Sequence, residues 1–192
     1  MKNKKTTIII ALILTIGIGA YIIISHSYPV VLVGSQLISA GDFREHYSGA
    51  YKYYRNILEL YAKDAAVLNA DETKKEIERA VLDGLIEDVL IDEELRKTMS
   101  AADLNRIVEE RISKIENGEK ISKEASVLYG FSADDFKKRV VIPQAKSDIL
   151  GNRIFLENGN FEEKLKELKR NAKVVILIPG FSWIGEGVVL RD

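Results

Sequence analysis

Val30-Val31-Leu32-Val33-Gly34-Ser35-Gln36-Leu37-Ile38-Ser39-Ala40-Gly41-Asp42-Phe43 passes from strand chemistry to helix chemistry within one short stretch. Val30 to Val33 is β-branched and apolar, Gly34-Ser35 is a two-residue connection, and Gln36-Leu37-Ile38 returns, which reads as a tight hairpin. Glycine at the first central position suits a type II′ turn. Ser39-Ala40-Gly41-Asp42 is then a capping box, with the Ser39 hydroxyl accepting from an orphan amide and Asp42 reaching back toward the cap. A strand pair therefore feeds straight into a helix.

That helix is expected to be long. Phe43, Tyr47, Tyr51, Tyr54, Leu58, Tyr61, Ala65 and Leu68 recur at steps of three and four, an aromatic-rich stripe continuing to Leu68. The next helix starts at Asp71 or Thr73. Its apolar residues, from Ile77 through Leu82, Leu85, Ile86, Val89 and Leu90 to Leu95, cover a face wider than one stripe, as in a helix packed on several sides. Ser100 to Asp103 is a second capping box, and Gly118 reads as the C-terminal glycine of that helix. A turn or two around Lys123 to Tyr129 stops at Gly130, and Ser132 to Asp135 is a third box. The helix after it contains Pro143, which removes a backbone bond and predicts a bend. A short helix from Phe161 and a strand over Lys173 to Ile178 follow, the strand pairing with the initial hairpin so that both ends of the domain meet.

Upstream, Lys2, Lys4 and Lys5 run into an uncharged apolar stretch from Ile8 to Ile24, with Ile8, Leu12, Ile16 and Ile24 along it. With Thr6, Thr7 and Ser25 the uncharged span reaches the ~20 residues a helix needs to cross the hydrocarbon. Ser25-His26-Ser27 offers small residues to a signal peptidase, but the long, Ile-rich span and the absence of an Ala-x-Ala site favour a retained anchor. Basic residues stay inside. The expected layout is a cytoplasmic basic stub and transmembrane signal-anchor over 1–28, an extracytoplasmic helical domain over 29–178 and a C-terminal tail over 179–192. The fold class is mainly α, with a small β-sheet made by the N-terminal hairpin and the C-terminal strand.

Composition narrows the chemistry. There are 28 Lys+Arg against 29 Asp+Glu, and three of the lysines precede the anchor, so the exported part is mildly acidic and nucleic acid is not an expected partner. With no cysteine, the chain has neither disulfides nor a thiolate metal site. His26 ends the apolar segment and His46 sits on a charged, solvated helix start, which provides poorly for a triad or a zinc site. Adjacent carboxylates such as Asp134-Asp135 point in different directions on a helix. No catalytic, cofactor or metal residue is assigned. Tyr47, Tyr51, Tyr54 and the off-stripe Tyr53 are candidates for a tolerant peptide-binding surface, because tyrosine offers a broad apolar face at low entropic cost. The alternative is that the stripe is core.

Val33 to Phe43, together with Leu82-Asp83-Gly84-Leu85-Ile86-Glu87-Asp88-Val89-Leu90, Ser100 to Leu104 and Gly130 to Phe136, resembles the helical domain of SurA-like and PrsA-like extracytoplasmic chaperones in order and spacing. Gly34-Ser35 stands where that family usually has Asn-Gly. The resemblance implies ATP-independent binding of unfolded or partly folded exported polypeptides. In complete members a parvulin-type prolyl isomerase domain is inserted or appended. Here it has no counterpart of domain size, although Trp183-Ile184-Gly185-Glu186-Gly187 echoes one parvulin segment. The expected protein is a membrane-anchored, non-enzymatic chaperone. An envelope adaptor docking one dedicated partner, or a degenerate isomerase, are the alternatives.

Overall fold

The computed structural model describes residues 28–114 and 118–191. The expected anchor, with Ile8, Leu12, Ile16 and Ile24, lies outside the described residues, among which no helix is long and apolar enough to cross a membrane. Strand β1 (Pro29–Val33) pairs antiparallel with β2 (Gln36–Ser39), Val33 opposite Gln36 and Val31 opposite Ile38. Of the two turn residues only Gly34 has positive φ, +57°, as the type II′ reading requires. An irregularity between Pro29 and Val31 breaks the alternation, so the consecutive Val30 and Val31 are both buried. Strand β3 (Val174–Ile176) takes the other edge of β1, giving the order β2-β1-β3. The two ends of the domain do meet.

Helix α1 (Ala40–Leu60) begins at the Ser39 cap, where the Asp42 amide donates to Ser39 Oγ at 3.0 Å. The Asp42 carboxylate accepts from the Ser39 hydroxyl at 2.8 Å; it does not reach the backbone of the cap. Ser100 and Ser132 cap in the same way. α1 is shorter than the aromatic stripe. Ala62 takes φ +52°, its amide donates to Glu59 O, and the Lys63 amide donates to Leu58 O, a Schellman ending that no glycine announces. A 3₁₀ turn (Ala65–Asn69), capped by Asp64, leads to α2 (Asp71–Arg96).

α2 is the central helix, and its width has a simple origin. Leu82, Ile86 and Leu90, four apart, face the strands, whereas Ile91 and Leu95 face α3 (Ala101–Ser113) and a later helix. α3 ends before the expected position. Gly118 opens helix α4 (Gly118–Tyr129), which is longer than a turn or two and stops where Gly130 takes φ +65°. Helix α5 (Ala133–Phe136) runs through a π-helical segment, Lys137–Val141, into α6 (Ile142–Leu156). The wider π turn just before Pro143 is how the chain accommodates a residue without an N–H. Asn158, at φ +59°, ends α6, and Asn160 caps α7 (Phe161–Asn171).

The boundary drawn at residue 178 moves. Residues assigned to a tail form a hairpin, β4 (Phe181–Trp183) with β5 (Val188–Leu190), and Phe181 and Val188 are buried against Leu82 and Ile86 in the sheet core. The parvulin-like Trp183 to Gly187 segment spans its turn. Asp83 of α2 holds the hairpin, accepting from the Val188 amide at 3.2 Å and pairing with buried Lys169 of α7 at 3.3 Å. Lys169 also meets Glu87. Burial pulls the Lys169 ammonium down, but the two carboxylates outweigh it and hold its pKa above the usual lysine range. Ending the chain after Ile178 uncovers the faces of Leu82 and Ile86. Urea denaturation should show a loss of about 4 kcal/mol, from burial of about 1.5–3 kcal/mol per large apolar side chain.

Candidate functional site

The four tyrosines do not share one environment. Tyr47 and Tyr51 continue the row begun by Phe43, with ring centroids 6.4 and 6.2 Å apart, and the Tyr51 hydroxyl donates to Asn69 Oδ1 at 2.9 Å. They knit α1 to the 3₁₀ turn and α2. Burial first, then the Glu78 carboxylate, raises the Tyr47 phenol above its ordinary value. Tyr53 points to α4, stacking on Tyr129 at 4.7 Å, and Tyr129 lies 6.0 Å from Phe131 and 5.5 Å from Phe136. Asn56 Nδ2 donates to Leu128 O at 2.7 Å across the same seam. Gly49 is buried there because a Cβ would meet the Phe131 ring at 2.2 Å.

Tyr54 is the exposed member, 45% accessible, and further along are Leu60 at 72%, Tyr61 at 69% and Val67 at 54%. Three of the four candidates are thus half-buried between helices, and the exposed apolar side chains nearest to them lie at the far end of α1 and in the turn after it, with Phe155 and Leu156 at the end of α6 also exposed. Tyr61, read as part of the packed stripe, belongs to that surface because the helix stops before it.

A second site was not assembled from sequence. Between β2, the start of α1, α2 and α6 lies an open groove of about 280 Å³, lined by Leu37, Ile38, Leu85 and Val89 and by Asp42, His46, Asp88, Asp92 and Lys146. His46 is partly buried here, where sequence placed it in solvent. Burial lowers its pKa, opposed by Asp42. Lys146 pairs with Asp92 at 2.6 Å, and Arg96 also bonds that carboxylate. Burial pushes Asp92 up, but these two cations outweigh it and hold it below the ordinary range. Asp88 has no hydrogen bond or ion pair within the described residues, and burial, reinforced by Glu87 and opposed by Lys146, pushes it up to about 7. The signal was present: Asp88 and Asp92 are four apart on one helix face, Asp88 between Leu85 and Val89 and Asp92 just after Leu90 and Ile91, where acids interrupt an apolar run.

Among the described residues no three or more His, Cys, Asp or Glu side chains are grouped to hold a metal ion. The arrangement is a helical domain closed by a terminal sheet, with exposed apolar side chains and, among the described residues, an unpaired carboxylate. The chain belongs to the SurA-like N-terminal domain family, which matches residues 3–125. No curated protein and no solved structure matches it. The family match ends within α4, so α5, α6, α7 and the last three strands extend beyond it.

Gly49→Ala should separate α1 from the Phe131 loop and cost about 1–3 kcal/mol by chemical denaturation, despite alanine's higher helix propensity. Asp88→Asn should act in the opposite direction. Between pH 3.8 and about 7 the folded state holds a proton that the unfolded state has released, so stability falls as pH rises through that window. The asparagine variant should be more stable than the parent by about 2 kcal/mol at pH 8, the gain vanishing toward pH 4, as read from melts across pH.

Proposed function

We propose that the protein is an ATP-independent, membrane-anchored extracytoplasmic chaperone that holds unfolded or partly folded exported polypeptides. Membership of the SurA-like N-terminal domain family makes it a relative of chaperones that bind polypeptide segments. The observation that carries the reading is the exposure of the apolar and aromatic side chains Tyr54, Leu60, Tyr61 and Val67 at the end of α1 and in the turn after it, among the described residues. Such side chains suit weak, tolerant contact with many sequences, while Tyr47, Tyr51 and Tyr53 pack against the neighbouring elements. In this reading catalysis has no part, and Lys2, Lys4 and Lys5 mark the cytoplasmic side of the anchor.

The full chain, reconstituted in lipid nanodiscs, should suppress light scattering by several unrelated, chemically unfolded clients at near-stoichiometric ratios. Tyr54→Ser combined with Tyr61→Ser should weaken the suppression several-fold while leaving the melting temperature within a few degrees, since both positions are exposed. No suppression of any client, together with tight capture of one native protein, would replace the chaperone by the adaptor. Acceleration of prolyl isomerisation in a peptide assay would restore the enzyme.

A further inference from the structure

We propose that the groove beside β2 receives an extended polypeptide segment as an added strand and seats one basic side chain of that segment on Asp88. This names a client class for the chaperone reading and rests on it.

The strand edge comes first. On one side of β1, the Gly34 amide donates to Lys173 O at 2.8 Å and the Leu177 amide to Val30 O at 2.8 Å, so residues 30, 32 and 34 bond toward β3. Alternation in an antiparallel sheet then directs Val31 and Val33 to β2, where they face Ile38 and Gln36. Leu37, opposite Leu32, turns its N–H and C=O away from β1, toward the free edge. Its side chain is 62% exposed. Among the described residues no strand lies beyond β2 in the sheet, and Gln36, Leu37 and Ile38 of β2 line the groove. The outward N–H and C=O of Leu37, beside a cleft whose lining is part apolar and part charged, offer an incoming extended segment its first bonds in strand addition.

Charge selects the occupant. Facing the groove are Asp42 and His46 from α1, Asp88 and Asp92 from α2, and Lys146 from α6, with Glu87 adjoining Asp88 on its own helix. Among the described residues the cations here are committed: Lys146 and Arg96 to Asp92, and Arg139, from the π segment, to Asp42 and Glu45. Asp88 is the one carboxylate of the lining left without a hydrogen bond or ion pair among the described residues, while Leu85 and Val89 flank it. An acidic segment would meet three carboxylates. A purely apolar one would further desolvate Asp88, whereas an ammonium or guanidinium would complete it. Strand side chains alternate, so a basic residue directed at Asp88 has its i±2 neighbours on the same face, along the apolar lining.

The test uses the full chain in nanodiscs and fluorescence anisotropy of a labelled eight-residue peptide of alternating Val and Thr with a central Arg. Its counterparts carry central Gln or Glu, or N-methyl groups on alternate amides. The Arg peptide should bind roughly tenfold tighter than the Gln peptide, and the Glu peptide weaker still. Asp88→Asn, whose fold is verified by its melt, should abolish the preference. Asp88→Glu and the remote Glu186→Gln should keep it. N-methylation should remove binding. Equal affinity for the Arg and Gln peptides, a preference that survives in Asp88→Asn, or tolerance of N-methylation would overturn the proposal. If client aggregation is still suppressed in that case, only this inference falls; a chain that neither suppresses aggregation nor binds any of the peptides would overturn the chaperone reading as well.

Discussion

Strand β1 has to be satisfied on both edges. It is buried in the core, water cannot serve its backbone, and each N–H and C=O needs a partner from the chain itself. One edge is supplied locally, by the Gly34-Ser35 turn and β2, and the other comes from β3, after every helix has been laid down. Leu82, Ile86 and Leu90 make this arrangement worthwhile by giving the strands an apolar floor, and the Phe181 and Val188 hairpin seals its side. The second core, around Leu95, Leu104 and Leu150, hangs from the other end of the same helix. Both cores therefore depend on α2, and α2 keeps its place because strands from opposite ends of the chain close over it.

The polar fastening follows the same logic. Glu94 is buried on α2, and Lys97, Lys164 and Arg153 gather round it at 2.6, 3.3 and 3.7 Å, tying α6 and α7 to the central helix. Asp83 and Glu87 do this for Lys169 one face away. Buried charges of this kind add little to net stability when fully paired, but they penalise any packing that separates them, so they favour one register of α7 over its neighbours. Asp88 lies between the two networks and belongs to neither.

Where local chemistry decides structure, the sequence was readable. The three Ser-x-x-Asp boxes each start a helix, the hairpin has its expected turn, and the strand at Val174 to Ile176 finds the first. Where tertiary context decides, it was not. The end of α1 rests on Ala62 in a left-handed conformation that alanine does not advertise, and Gly118 suited the close of one helix as well as the opening of the next. Pro143 announced an irregularity without specifying a π segment. The hairpin of the last residues was missed because two three-residue strands around Gly185 and Gly187 carry almost no periodicity. At the candidate surfaces, helical spacing identified the tyrosine row but could not say which neighbour covers each ring. The groove was hidden for a different reason, since its lining comes from three separate stretches, 36–46, 85–92 and residue 146, and no single window contains it.

Joining β1 to β3, a strand made only after every helix, has a temporal consequence. As the polypeptide is synthesised from its amino end, β1 and β2 can zip at once, yet one edge of β1 and the floor of Leu82 and Ile86 stay open until Val174 to Leu190 have been made. Contacts so distant in the chain form late and slowly. For much of its own biogenesis the domain presents the adhesive strand margin and bare aliphatic side chains of an immature protein.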